Sequence, residues 1–156
     1  MKVAMMIVTL TFAAALAAVA PAHAGSKYQT TLVPTSTTAL PGFSAKGSSI
    51  KIDGHLALKG KIKKVVDGAG ALVTTDGVPS SDDYSVEVDL AVPATAATGT
   101  VTVAFDVNNG NGKFAASLAG NPVFAGSALG DGVSVLAVRV KDASATVIGT
   151  GGFALE

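Results

Sequence analysis

Apolar and polar residues alternate with a period of two along most of the chain after residue 25. The clearest example is Tyr84–Val92, in which every second residue is apolar. In Thr98–Leu118, alternating segments lie on both sides of the Asn/Gly-rich run 108–112. Alternation of this kind is typical of strands with one buried face, and an Asn-Gly turn between two such segments indicates a hairpin. The pattern predicts a β protein built around this central hairpin.

Further short alternating segments are separated by turn-forming residues. They are residues 28–33, 48–53, 56–63, 71–75, 133–141 and 147–155, with a short strand 123–125 inside the Gly-rich loop 119–132. After residue 25, no segment has apolar residues at helical spacing. About eight short strands at intervals of about ten residues predict a single antiparallel β-sandwich, immunoglobulin-like or jelly-roll in style.

The segment 133–141 contains an irregularity. Its apolar positions shift by one residue, from Val133 and Val135 to Leu136, Val138 and Val140. A shift of this kind indicates either a β-bulge or a strand that is buried on both faces.

The first 24 residues have the pattern of a secretory signal peptide. Lys2 precedes an apolar run, and Ala22-His23-Ala24 has the small-x-small form of a cleavage site. We predict that residues 1–24 are removed and that residues 25–156 form a single sandwich domain of a secreted protein, periplasmic or extracellular. The alternative is a retained membrane anchor, for which the run is short and rich in alanine. No membrane span is expected after cleavage.

Composition excludes several functions. There is no Cys or Trp, and every Met falls within the predicted signal, so the fold is expected to hold without disulfides. The full chain has 11 Lys+Arg and 11 Asp+Glu, a balance that does not indicate binding to nucleic acid or to a membrane surface. Most aromatic residues fall on apolar faces. Only Tyr28, Phe43 and Phe124 are candidates for an exposed aromatic platform.

Candidate catalytic and metal-binding residues are few. His55, the single histidine after the signal, is expected to be a surface residue at a strand start, without a second His or any Cys to complete a zinc site. The carboxylate pairs Asp82-Asp83 and Glu87/Asp89 are expected to face solvent. The run Asp106–Gly112 has Gly and Asn in the wrong order for a helix–loop–helix calcium site and is expected to be a hairpin turn. We therefore predict no catalytic residue, cofactor or metal, and a protein that is not an enzyme.

Two strand faces carry ladders of like charge. The basic ladder is Lys59, Lys61, Lys63 and Lys64, and the acidic ladder is Glu87 and Asp89. The two ladders pair across a sheet if their strands are neighbours. If the lysines lie on an edge strand, they instead block unwanted strand addition. In a third interpretation, the ladders meet between two copies of the protein and steer assembly.

These features predict an exported, non-enzymatic structural or adhesive module of a bacterial envelope or extracellular matrix. The expected partner is a second copy of the chain, in an oligomer or filament, or an envelope or matrix protein. The segment Gly25–Pro41 is a candidate for strand addition to a neighbouring copy. The alternative is a ligand-binding module that binds a carbohydrate or a partner protein through the loops of the sandwich.

Overall fold

Antiparallel strands make up most of the chain that the structure describes. The computed structural model describes residues 27–35, 41–80, 82–92, 97–119, 121–122 and 133–155. Within these ranges there are eleven strands: β1 (Tyr28–Thr31), β2 (Val33–Pro34), β3 (Gly42–Ile52), β4 (Ala57–Val66), β5 (Tyr84–Val92), β6 (Ala97–Phe105), β7 (Val107–Asn108), β8 (Asn111–Ser117), β9 (Ser134–Lys141), β10 (Val147–Gly152) and β11 (Ala154–Leu155). Three of them have two residues, and the other eight correspond to the predicted number. The predicted signal and the predicted strand 123–125 lie outside the described residues.

The strands form two antiparallel sheets that pack face to face. One has the order β11-β1-β3-β4-β8-β7, and the other has the order β2-β10-β9-β5-β6. Alternate residues of both sheets meet in one core, which includes Ile50, Ile52, Leu58 and Ile62 from the first sheet and Val86, Val88, Leu90 and Val140 from the second. All eight of these side chains are at most 1% exposed. The predicted antiparallel β-sandwich is therefore confirmed.

β9 contains a bulge, the first of the two alternatives predicted for this segment. Asp89 lies opposite Ala137 and Leu90 lies opposite Val135, so Leu136 is an extra residue on β9. Leu136 is 51% exposed, whereas Val135 is buried. Because the extra residue absorbs the shift in the pattern, the apolar positions before and after it face the same core.

The turn of the predicted central hairpin is confirmed, but the strand predicted to precede it was wrong. Asn109 and Gly110 have φ angles of 46° and 71°, as a type I′ turn requires, and they join β7 to β8. The longer strand before them, β6, pairs instead with β5 in the other sheet. The chain changes sheets at Asp106, between β6 and β7. Alternation did not reveal this change because both strands face the same core.

β3 is longer than the pattern predicted. It begins at Gly42 rather than at Ser48, and its pairing with β4 shifts register between Ser44 and Ser49. Gly47 lies in this irregular part with a φ of 83°, which interrupts the alternation of apolar residues. The beginning of the strand was missed because its one buried aromatic residue, Phe43, falls before the interruption.

Residues 71–75 do not form the predicted strand. They make a single isolated bridge, between Leu72 and Val66. The segment is nevertheless held to the sheet edge, because the backbone N–H of Thr75 donates to the carbonyl of Val107 at 2.8 Å. It therefore covers β7, the edge strand of the six-stranded sheet.

A glycine in the middle of β4 provides the space for a core phenylalanine. Gly60 lies directly opposite Phe114 of β8, and a Cβ atom at Gly60 would be 2.1 Å from Phe114 Cζ. The Phe114 ring is buried and packs against Phe105 with a centroid distance of 5.2 Å. Any side chain at residue 60 therefore has to displace a packed ring.

We expect the substitution Gly60→Ala to lower the free energy of unfolding by about 1–3 kcal/mol, the usual cost of overpacking a core. The matched control is Gly42→Ala on β3, since a Cβ atom there has no other atom within 4 Å. This control should change stability by less than about 0.5 kcal/mol. Urea unfolding of both variants is the measurement, and equal stability of the two would contradict the described packing.

Candidate functional site

The outer face of the six-stranded sheet carries a compact grid of lysines. Lys51 on β3 lies directly opposite Lys59 on β4, and Lys61 on β4 lies directly opposite Lys113 on β8. Lys63 follows two residues further along β4. The first four are exposed and Lys63 is half-buried. These five residues are called the lysine face below.

Among the described residues, no carboxylate forms an ion pair with the lysine face. All ion pairs between described residues lie on the five-stranded sheet. The positions paired with the lysines hold other lysines or uncharged residues, such as Ser49 opposite Lys61 and Ala115 opposite Lys59. Lys63 Nζ donates to Asn111 Oδ1 at 3.1 Å. Directly opposed like charges destabilise a sheet. The face is thus unfavourable for folding and open to an anionic partner.

A shallow depression of about 390 Å³ lies at the centre of the lysine face. Four of the five lysines line it, together with Ser49, Gly60, Phe114 and Ala115. The Phe114 side chain belongs to the core and is 7% exposed. The depression therefore presents ammonium groups around an uncharged floor, without an exposed aromatic ring to stack on a ligand.

The outer face of the five-stranded sheet has an ion-pair network instead. Arg139 Nη1 and Nη2 donate to Asp89 Oδ2 and Oδ1 at 2.6 and 2.9 Å, and Arg139 Nε donates to Glu87 Oε2 at 3.0 Å. Lys141 Nζ donates to Glu87 Oε1 at 2.5 Å. Thr100 Oγ1 donates to Asp89 Oδ1 at 2.7 Å. Each carboxylate on this face is therefore bound by a cation of the same sheet.

These hydrogen bonds stabilise the ionised carboxylates. The bond from Lys141 lowers the pKa of Glu87, with a further contribution from Arg139. The bond from Arg139 lowers the pKa of Asp89, with a further contribution from Thr100. Asp89 and Glu87 in turn raise the pKa of Arg139. Partial burial opposes each shift, and the charge-assisted hydrogen bonds outweigh it.

The two predicted charge ladders do not meet. β4 and β5 belong to different sheets, so cross-strand pairing of the ladders was wrong. β4 lies between β3 and β8, so the lysines do not protect an edge strand either. Glu87 and Asp89 are already paired with Arg139 and Lys141 of the same chain, so the acidic ladder is not free for the lysines of another copy. Lys64 has a φ of 54° at an irregular position of β4 and lies outside the grid.

The sequence analysis did not identify the residues that lie opposite the two ladders. Lys51 alternates with buried isoleucines and Lys113 precedes a buried phenylalanine, so the period of two could have placed both on an outer face. Arg139 and Lys141 alternate with Val138 and Val140 in the same way. Sequence spacing shows the face of each residue, but only the register of the strands shows which residues are neighbours.

One sheet edge differs from the other three among the described strands. β2, β7 and β11 each have two residues, whereas β6 has nine and no described residue pairs with its outer side. β6 contains no charged residue and no proline. Its inward side chains Val101 and Val103 are half-buried, whereas Val86 and Val88 on the neighbouring strand are completely buried. Within the part of the chain that the structure describes, β6 thus has no charge, proline or covering segment of the kind with which proteins usually prevent strand addition.

The candidate catalytic residues lie in turns. The His55 side chain is exposed, and its backbone N–H donates to Asp53 Oδ1 at 3.0 Å. Asp83 Oδ2 accepts a hydrogen bond from the backbone N–H of Ser80 at 2.9 Å, and Asp82 is exposed in the same loop. The structure does not bring the histidine and this carboxylate pair together on one strand or turn.

The candidate calcium loop is a hairpin turn, as predicted. Its first residue, Asp106, accepts hydrogen bonds at Oδ1 from the hydroxyl of Thr75 and from the backbone N–H of Gly77. The carboxylate thus ties the segment 73–77 to the point where the chain changes sheets. Within the described ranges, no group of three or more His, Cys, Asp or Glu residues is placed to hold a metal ion.

The candidate aromatic platform is not formed. Phe43 is buried, contrary to the prediction, and a Cβ atom at Gly149 would be 2.3 Å from its ring. Tyr28 is half-buried against the core. Phe124 lies outside the described residues. A carbohydrate site that depends on stacking is therefore not supported by these side chains.

Comparison with known proteins adds no relative: no family model, curated protein or solved structure matches the chain. Among the residues that the structure describes, no helix is long and apolar enough to cross a membrane. The lysine face, the ion-pair network and the edge of β6 are the surface features of the described residues that bear on function.

Acid is expected to destabilise the fold through Glu87 and Asp89. Because their pKa values are lowered in the folded state, the unfolded chain binds protons more readily, so this stability is fully present above about pH 5 and is lost as the pH falls through the lowered folded values. Arg139→Met should lower the free energy of unfolding at neutral pH by about 1 kcal/mol, since solvent screens these partly exposed pairs. It should also flatten the dependence below about pH 5.

Urea unfolding at a series of pH values measures this effect. The matched control is Lys113→Met, which removes a cation that has no ion pair among the described residues. The control should keep the wild-type pH dependence. If Arg139→Met loses stability in acid to the same extent as the wild type, the ion-pair network is not the cause of the acid sensitivity.

Replacing one lysine of an opposed pair with an acid should stabilise the protein. Lys59→Glu places an acid opposite Lys51, and Lys61→Glu places one opposite Lys113. Each substitution should raise the free energy of unfolding by about 0.2–1 kcal/mol at low salt. The gain should shrink at about 0.5 M salt, where charges are screened within a few ångströms.

The control for this pair is Lys64→Glu, which makes the same charge change outside the grid and should have little effect. Urea unfolding at low and high salt is the measurement. If Lys59→Glu and Lys61→Glu destabilise the protein at low salt, the opposed lysines do not repel each other appreciably.

Proposed function

We propose that this protein is an exported, non-enzymatic structural or adhesive module of a bacterial envelope or extracellular matrix, and that two copies assemble through their β6 strands. The observation that carries the proposal is the nine-residue outer edge of β6, which no described segment covers. An exposed strand edge presents a row of backbone donors and acceptors that a second strand can satisfy.

The composition of β6 favours a second copy as the partner. The strand has no charge, so two copies do not repel each other at this edge. Antiparallel pairing of two identical strands is compatible with a two-fold axis, the commonest symmetry of protein dimers. A neighbouring strand would also cover Val101 and Val103, which are only half-buried in the single chain. The described strands leave one long edge unpaired per copy, which makes the proposed assembly a closed dimer rather than a filament.

The segment Gly25–Pro41 is not the exchanged strand in this proposal. In the structure its described part pairs within its own chain: β1 with β3 and β11, and β2 with β10. Leu32, between β1 and β2, is completely buried. Removing this segment would therefore remove part of the core as well as two strands.

Other features support an exported, non-enzymatic role. The N-terminal pattern is that of a secretory signal, and the chain contains no cysteine whose oxidation state would depend on compartment. The single histidine after the signal is exposed in a turn. Glu87 and Asp89, the carboxylates on the sheet face, are bound by cations of the same sheet. None of these groups is arranged as a nucleophile with a base.

The mass of the exported product in solution tests the proposal. The full chain is expressed, the exported protein is purified, and light scattering is recorded over a wide concentration range. We expect the mass to rise with concentration and to level off at two chains. The double variant Thr98→Lys/Thr102→Lys places charges on exposed positions of β6 and should remain at the mass of one chain.

The matched control is Val78→Lys/Ala143→Lys, which adds the same charge at exposed loop positions and should dimerise like the wild type. Circular dichroism and urea unfolding establish that each variant is folded. A wild-type mass of one chain at all concentrations would refute the proposal. So would a mass that continues to climb beyond two chains, or a Thr98→Lys/Thr102→Lys variant that still dimerises.

A further inference from the structure

We propose that the lysine face binds a linear acidic polysaccharide that carries repeated carboxylates. This inference goes beyond dimerisation, because the lysine face lies on the six-stranded sheet whereas β6 is the edge of the other sheet. It also changes the location expected for a carbohydrate site, from the loops of the sandwich to the face of a sheet. The choice of a polysaccharide rests on the proposed export.

The contrast between the two outer faces carries the argument. On the five-stranded sheet, the described acids and bases neutralise each other through hydrogen bonds of 2.5–3.0 Å. On the six-stranded sheet, five lysines cluster without an ion pair among the described residues, although opposed lysines repel each other. An anionic ligand would relieve this repulsion. Charge complementarity therefore identifies a polyanion as the occupant.

The geometry of the grid fits an extended chain of carboxylates. Neighbouring strands are about 5 Å apart, and residues on the same face of a strand are about 7 Å apart. Lys51, Lys59, Lys61 and Lys113 occupy two adjacent rows of this lattice and surround the depression of about 390 Å³. Lys63 extends the lattice by a further row along β4. A linear polymer with regularly repeated charges can engage several of these ammonium groups at once.

Other anionic macromolecules fit this face less well. Non-specific binding of single-stranded nucleic acid normally combines positive charge with aromatic side chains on which bases stack. Phe114, the aromatic residue at the depression, is buried in the core. Stable binding to an anionic membrane usually combines positive charge with apolar side chains that insert into it. The exposed residues of the central strands β4 and β8 on this face, apart from the lysines, are Asn111, Ala115 and Ser117.

Binding of the full-length exported protein to polygalacturonate, measured by isothermal titration calorimetry, tests this inference. Polygalacturonate should bind at about 0.05 M salt and should bind far more weakly at about 0.5 M, because salt screens exposed charges. Fully methyl-esterified polygalacturonate has the same backbone without the charges and should not bind. Lys59→Gln/Lys61→Gln should weaken binding at least about tenfold, since each lysine near an anionic surface contributes severalfold.

Two control variants separate local from overall charge. Val78→Glu/Ala143→Glu lowers the net charge by the same amount at exposed loop positions and should bind like the wild type. Lys59→Arg/Lys61→Arg keeps the charge and should retain binding. Light scattering of Lys59→Gln/Lys61→Gln should show the same mass as the wild type, so that loss of polymer binding and loss of dimerisation are distinguishable.

Absence of binding at low salt would overturn the inference, as would equal binding of the esterified polymer. Unchanged binding by Lys59→Gln/Lys61→Gln would place the site elsewhere on the protein. Single-stranded DNA and vesicles that contain phosphatidylglycerol are titrated in parallel. Tighter binding of either one than of polygalacturonate would identify a different class of partner and refute the polysaccharide.

Discussion

The packing of two inner sheet faces against each other is the constraint on which this structure depends. The chain has no cysteine, so cross-linking by disulfides does not contribute to its stability. The fold therefore depends on alternate residues of the long strands that are apolar and face the core, as in β5, where Val86, Val88 and Leu90 are completely buried. This requirement occupies one face of each sheet. The other face of each sheet is left to carry charge, and it is there that the two sheets differ.

The two outer faces differ in their effect on the stability of the fold. On the five-stranded sheet, Arg139 holds two carboxylates and Lys141 shares one of them, so the charged groups satisfy each other. On the six-stranded sheet, Lys51 faces Lys59 and Lys61 faces Lys113, an arrangement that weakens the fold. Stability alone therefore accounts for the first arrangement and not for the second. Natural proteins accept such costs where a surface has a task besides folding.

The sequence predicted which face of a strand each residue occupies better than it predicted which strands are neighbours. Alternation gave β5 with its correct limits, placed His55, Lys59 and Lys61 outside, and indicated the bulge at Leu136. It could not show that the chain changes sheets at Asp106, because residues of both sheets point into one core. For the same reason the sequence could not predict that lysines of β3, β4 and β8 lie opposite each other, or that no described strand pairs with the outer side of β6. Both depend on strand order, which a period of two does not encode.

The change of sheet at Asp106 also has a kinetic consequence. The chain leaves one sheet after β1, returns to it at β3 and changes sheets again at β5, β7, β9 and β11, so neither sheet is built from one continuous stretch. Some strand neighbours are consequently remote along the chain, such as β4 and β8, in which Lys63 and Asn111 are 48 residues apart. Closing such long loops slows folding. The pair β5 and β6 is local and can form before β9 arrives, so the edge of β6 is exposed early in folding, when contact with another nascent chain is most hazardous.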